Sequence, residues 1–263
     1  MSPAPAPLVL LGAQRSGTTA LAGVLDHAFA DAGGVFTVNG KLPYLLHRWC
    51  TQADVHGRHL RVDEILHALH RKPPYGRHSQ VWLETVEKVL RAAAAEVADG
   101  RVTDAAALRG QLVRAAYAGA TRYGDKYNEY LLELDQLADT LPDAHWVLLV
   151  RHPAAVARSM LRWTGDRPWR PGNRQAALEK WAAWHRPWLA HPATRDPARC
   201  TVLEYAALCA GEDLHRLSTA IGLDLLPYAG LLAERTGEPE HEPLPAHITR
   251  LWQTLLDLRT PTP

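Results

Sequence analysis

Cysteine is scarce in this chain of 263 residues. Cys50, Cys200 and Cys209 are odd in number and lack the short paired spacing of a metal site. Neither a disulfide framework nor a cysteine-based metal centre is expected, and the three read as small buried hydrophobes of a protein kept in a reducing cytoplasm. An excess of one charge sign is also missing: the formal net charge is +1, which implies no long nucleic-acid groove and no basic membrane-binding face, so any anion site has to be local. Long apolar runs are absent too. The Pro/Ala-rich stretch 1–7 has no basic leader, and the apolar residues after it extend one strand's length before Gly12, so neither a secretion signal nor a membrane span is read here. Lysine is rare, five residues against 24 arginines, and each lysine position is therefore informative.

What the chain does have is a 47% hydrophobic content, enough for a sizeable core, and its length suits one domain over residues 1–263. Leu8–Leu11 reads as a buried parallel strand and Thr18 to about Ala30 as a helix opening from a glycine loop. Residues 34–38 look like a second strand. The stretch from Lys41 to Gly76 holds short helical pieces, one ended by Pro73 and Pro74. Helices follow over "SQVWLETVEKVLRAAAAEVA" and from Asp104 towards Ala120. Tyr127–Leu141 is amphipathic, and "AHWVLLV" is a strand apolar enough to be buried on both faces. Pro153 suits a helical first turn, so "PAAVARSMLRW" continues as a helix. A loop at 164–173, a helix near 175–190, the strand "TVLEY", a helix through Ile221 and a terminal helix near 246–258 complete the pattern. Alternating strands and helices imply an α/β fold, a parallel β-sheet flanked by helices on both faces, with a site at the strands' carboxyl ends.

The segment "LVLLGAQRSGTT" has the glycine spacing of a nucleotide-triphosphate loop, but Thr18 stands where the lysine belongs. Backbone N–H groups of residues 14–19 and the positive end of the following helix are expected to face an anion. A triphosphate enzyme also needs an acidic residue at a neighbouring strand end to hold magnesium. The strand "WVLLV" ends instead in Arg151, which repels a metal ion and attracts a second anion. Two anion sites without a metal describe a nucleotide with phosphates at separate positions, and a sulfuryl group, with less negative charge than a phosphoryl group, can be stabilised by Arg15, amides and hydroxyls alone.

"LGAQRSGTTAL" resembles the 5′-phosphosulfate loop of sulfotransferases that use 3′-phosphoadenosine 5′-phosphosulfate (PAPS), in particular the bacterial and tyrosylprotein-type branches. "VLLVRHPAAVARS" is similar to their 3′-phosphate motif, an arginine at a strand end and a serine eight residues later, here Arg151 and Ser159. "GDKYNEYLLELDQLADTLPDAHWVLLV" resembles the segment whose lysine, in a G-D-K-like turn, faces the sulfuryl group. "TVLEYAAL" resembles a late Y-E-D-L entry with Glu204 and Tyr205 inverted. The resemblance implies a P-loop NTPase-like sulfotransferase fold with PAPS bound by Arg15, Ser16, Gly17, Thr18, Thr19, Ala20, Arg151 and Ser159. It implies metal-free, in-line transfer to a hydroxyl or amine of a small molecule, natural product or glycolipid, leaving adenosine 3′,5′-bisphosphate. Arg15 and Lys126 are assigned to charge on the transferring group and the bridging oxygen.

The related enzymes often carry a glutamate after the second strand, or use a histidine, whereas "TVNGKLPYLLHRW" has no carboxylate. His47 is the candidate general base, because a neutral imidazole suits the task. Asp125 and Glu84 are rivals, and Lys41 qualifies only if burial depresses its pKa. His56, His59, His67 and His70 read as solvated helix faces, not metal ligands. Trp163, Trp181, Trp184 and Trp188 read as packing, and Trp169 as part of a lid over the acceptor. A divergent ATP-dependent kinase and a catalytically inactive nucleotide-binding protein stand as alternatives. Neither the acceptor nor the oligomeric state is written in the chain.

Overall fold

The computed structural model describes residues 6–163, 170–232 and 243–259. The chain runs through β1 (Leu8–Leu11), α1 (Thr18–Asp31), β2 (Val35–Val38), α2 (Leu42–Trp49), α3 (Gln52–His56), α4 (Val62–Arg71), α5 (Ser79–Ala98), α6 (Ala105–Ala116) and β3 (Tyr123–Lys126). It continues with α7 (Leu134–Thr140), β4 (His145–Val150), α8 (Pro153–Leu161), α9 (Arg174–Ala190), β5 (Cys200–Glu204), α10 (Tyr205–Cys209), α11 (Glu212–Ile221) and α12 (Ala246–Asp257). The strands form a five-stranded sheet in the order β2-β3-β1-β4-β5. The chain packs as two compact units that interleave in sequence, residues 1–9 with 25–144 and residues 10–24 with 145–263, so that β1 contributes to both.

In the first unit, β2 and β3 pair in parallel from Val35 opposite Tyr123 to Val38 opposite Lys126. No sequence pattern marks β3, because Tyr-Gly-Asp-Lys has no apolar run and contains two residues depleted from strands; the segment resembles a turn. Its glycine is required by crowding: a Cβ on Gly124 would lie 2.6 Å from the Leu8 carbonyl oxygen and 2.7 Å from the Phe36 ring. Lys126 thus ends a strand, not a turn. The helices around this pair follow their apolar spacing: Val62, Ile65, Leu66 and Leu69 form the buried stripe of α4. The amphipathic stretch after β3 is divided, a 3-10 turn at Asn128–Leu132 preceding α7.

In the second unit, β4 and β5 pair in parallel from Trp146 opposite Cys200 to Val150 opposite Glu204. Trp146 is buried and Val147–Val150 are fully so, as an apolar strand covered on both faces requires. Pro153 begins α8, where its missing N–H has no helical acceptor to lose. Trp181 and Trp188 on α9 are fully buried and Trp184 nearly so. Gly211, with φ 89°, separates α10 from α11, where the sequence suggests one helix. Trp169 lies at 164–169, outside the described residues.

Candidate functional site

The glycine loop between β1 and α1 is built from local hydrogen bonds and two left-handed residues. The Ser16 N–H donates to the Ala13 carbonyl at 3.2 Å, and the buried Ser16 hydroxyl donates to the same oxygen. Ser16 therefore shapes the turn, and its amide is not among those turned to a ligand. The Ala20 N–H is likewise taken, by the Gly17 carbonyl at 2.9 Å. Thr18 and Thr19 are the first two residues of α1, where amides lack intrahelical acceptors and the helix presents its positive end. Gly17 has φ 97°, and a Cβ there would stand 2.3 Å from the Tyr205 ring. Both facts require glycine.

Around this loop the second unit gathers the residues the motifs pointed to. The Arg15 Nε donates to the Ser159 hydroxyl at 2.9 Å, and the Arg151 guanidinium reaches the Arg15 carbonyl at 3.4 Å. A strand-end arginine, a serine two turns into the next helix and a loop arginine thus meet on one side of the glycine turn. Two aromatic rings hold the guanidiniums: Arg15 lies 4.6 Å from the centre of Trp163, and Arg151 lies 4.5 Å from the centre of Tyr205. Each such contact contributes about 0.5–1 kcal/mol. Tyr205 and Trp163 carry no motif signal as site residues. The inverted Glu204–Tyr205 order is visible in the sequence, and its structural meaning is that Glu204 caps α10 by accepting the Ala207 N–H at 2.8 Å, which leaves Tyr205 for Arg151 and Gly17.

The first unit holds a second cluster, at the end of β3. The carboxylate of Asp125 is buried and accepts four hydrogen bonds: from the Thr37 hydroxyl at 2.8 Å, the Gly40 N–H at 2.9 Å, the Lys41 N–H at 2.8 Å and the Tyr130 hydroxyl at 2.7 Å. The Tyr117 hydroxyl joins through Thr37 at 2.7 Å. Burial raises the pKa of Asp125, and the four donors oppose that rise. The bonds pin the turn after β2, where Asn39 and Lys41 have φ of 64° and 48°. Lys41 and Lys126 are each only 5% exposed. Burial lowers both pKa values; the charges of Lys72 and Arg71 add to the effect at Lys41, while Asp125 and Glu129 counter it at both.

The other candidates lie elsewhere. His47 stands in the last turn of α2 with its Nε2 2.9 Å from the Thr140 hydroxyl. The same hydroxyl lies 2.9 Å from the Gln136 carbonyl, so this edge of the imidazole is turned to α7. Burial lowers the His47 pKa, assisted by Arg109. His47 is also six residues beyond Lys41, roughly 9 Å along the helix, and the structure does not bring it to the lysine cluster. Glu84 is exposed on α5 and accepts from Gln80 at 3.1 Å. His56, His59, His67 and His70 are all exposed. Among the described residues, no three His, Cys, Asp or Glu side chains converge as metal ligands, and no helix is long and apolar enough to cross a membrane.

A strand running into a glycine turn and helix, with a guanidinium at a neighbouring strand end, defines an α/β protein of the phosphate-loop kind. More narrowly, a family model for the sulfotransferase family matches residues 7–225, and the chain belongs to that family. The sulfotransferase domain of the Synechococcus PCC 7002 olefin synthase is similar in fold, with a TM-score of 0.59, 21% identity and 96% of each chain covered. A sulfotransferase domain from the curacin biosynthetic pathway has a TM-score of 0.58 at 16% identity, covering 96% of this chain and 98% of its own. A sulfotransferase from Mycobacterium tuberculosis has a TM-score of 0.50 at 17% identity, covering 97% of this chain and 78% of its own. No curated protein sequence matches this one.

Proposed function

We propose that the protein transfers a sulfuryl group from PAPS to a hydroxyl or amine of a small-molecule acceptor, in line and without a metal ion. The observation that carries this reading is the convergence of Arg15, Arg151 and Ser159 beside the glycine turn. Two guanidiniums, a hydroxyl and the first amides of α1 suit a nucleotide bearing anionic groups at two positions, and Arg151 occupies the strand end where a triphosphate enzyme keeps its magnesium-binding acid. When bound, PAPS supplies the sulfuryl group and leaves as adenosine 3′,5′-bisphosphate. Arg151 and Ser159 hold the 3′-phosphate; Thr18, Thr19 and the helix end hold the 5′ side. Arg15 touches Ser159 and so serves both, and Lys126 is assigned to charge developing on the transferring group.

Two of the similar structures come from an olefin synthase and the curacin pathway, which supports a natural product as acceptor. A cytoplasmic setting fits the free thiols of Cys50, Cys200 and Cys209; burial pushes Cys50 up to about 11 and Cys200 up to about 12, away from reactive thiolate. The test is calorimetric titration with adenosine 3′,5′-bisphosphate in the presence of a chelator. Binding without magnesium, lost in Arg151→Ala, is the expected result. A requirement for magnesium, or a preference for ATP, would overturn the reading.

A further inference from the structure

We infer that the last helix, α12, and Arg259 just beyond it brace Arg151, so that Trp252 and Arg259 are positioning residues for recognition of the nucleotide's 3′-phosphate. The inference rests on the PAPS reading and adds to it the device that aims the 3′-phosphate arginine. The family match ends at residue 225, and α12 begins at Ala246.

Arg151 follows the last residue of β4, and Val150 stands opposite Glu204 in the β4–β5 pair. The next residue of each strand, Arg151 and Tyr205, therefore meet at the same sheet end, where the guanidinium lies against the ring. A long, flexible side chain is aimed only as well as the groups around it are fixed. Here the backbone on both sides of the contact is tied to α12 and its end.

The first tie runs through His152, the residue after Arg151 and the cap of α8. Its ring meets Trp252 in a T-shaped contact, with centres 5.6 Å apart and planes at 81°, a geometry aromatic pairs favour. Trp252 in turn packs on Trp181 of α9, with centres 6.2 Å apart, and Trp181 is fully buried. α12 is held to α9 again at its start, where the His247 Nε2 lies 2.8 Å from the Glu179 carboxylate. Trp252 is thus a wedge between a fixed core and the start of α8.

The second tie runs through the buried carboxylate of Asp213. It accepts the Glu204 N–H at 2.6 Å, one residue before Tyr205, and the Arg259 Nε donates to both of its oxygens at 3.0 Å. Arg216 adds a bond at 3.2 Å and also donates to the carbonyls of Val202 in β5 and of Arg259. A buried carboxylate has to be held by such partners, and they are held by it. Arg259 thereby fixes the strand end that carries Tyr205, as Trp252 fixes the helix start that follows Arg151. Both act on the guanidinium through a neighbour.

The experiment measures discrimination between two nucleotides. Calorimetric titration with adenosine 3′,5′-bisphosphate and with adenosine 5′-monophosphate, which lacks the 3′-phosphate, gives a ratio of dissociation constants that reports the 3′ site. Trp252→Ala and Arg259→Ala should each lower that preference about tenfold and leave binding of the monophosphate nearly unchanged. Trp252→Phe, which keeps a ring for His152, should retain the preference. In an Arg151→Ala background neither alanine substitution should change the ratio further, because the residue they aim is gone. Arg259→Ala leaves Asp213 with Arg216, so it provides a folded variant if Trp252→Ala unfolds. Without any nucleotide, the Arg151 Nε–H resonance, identified by its loss in Arg151→Ala, should move towards the free-arginine position in both alanine variants as the guanidinium leaves the Tyr205 ring. Equal weakening of both nucleotides, an unchanged preference in Arg259→Ala, a further fall in the Arg151→Ala background or an unmoved Arg151 resonance would each overturn the brace. A wild-type protein that binds the two nucleotides equally would instead overturn the PAPS reading, and the Arg151 resonance then decides the brace by itself.

Discussion

Gly17 shows how tightly single residues are constrained at this loop. Its φ of 97° excludes most side chains, and the Tyr205 ring occupies the space a Cβ would need. Gly17→Ala is expected to lower stability by about 1–3 kcal/mol, because it combines overpacking with a strained backbone. Thermal unfolding measures the cost, and Tyr205→Ala in the same chain should recover only the part due to the clash. Recovery of the whole loss would show that the backbone conformation contributes nothing. The glycine's spacing was legible in the sequence because phosphate loops repeat it, as were Arg15, Arg151 and Ser159 through their places beside strands. Tyr205 and Trp163 were not, since a ring's contact with a guanidinium depends on elements distant in the chain.

At the level of elements, β1, β4 and α5 could be read closely, because continuous apolar runs and helical spacing are local signals. β3 could not. Its strand character comes from β2 beside it and from Asp125, whose bonds knit β3 to the turn at 39–41. Asp125→Asn leaves the carbonyl oxygen for two donors and sets an NH2 against the other two, so this turn should loosen at a cost of about 1–3 kcal/mol. Urea unfolding measures that loss, and hydrogen exchange should locate it at Gly40 and Lys41. Unchanged exchange at these two amides would contradict the clamp. The amphipathic stretch Tyr127–Leu141 and the helix read through Ile221 divide for a related reason: periodicity reports the apolar face of a stretch and is silent about a break that keeps the same face buried.

Across the whole molecule, stability carries a cost at the buried lysines. Their pKa values are lowered in the folded state, so between the folded value and about 10.4 the unfolded chain binds more protons, and stability rises with pH through that window. Below it the cost of the buried charge is fully present. Lys126→Met should therefore stabilise the protein at neutral pH by about 1–3 kcal/mol, with the gain shrinking as pH approaches 10, and under the function proposed above it should also lose sulfuryl transfer. Denaturant midpoints measured across pH give the answer, and a destabilised Lys126→Met at neutral pH would refute it.

The division of β1 between two compact units reaches into how the gene can be cut. Residues 10–24 are translated before most of the unit they do not belong to, so scission of the polypeptide after Ala144 yields one piece that owns all of the first unit together with residues 10–24, and a second piece that lacks those residues of its own unit. Such halves are suited to reconstitution as a co-expressed pair, and a deletion series from the amino terminus reaches both modules within β1, whereas one from the carboxyl terminus removes only the second until it passes His145.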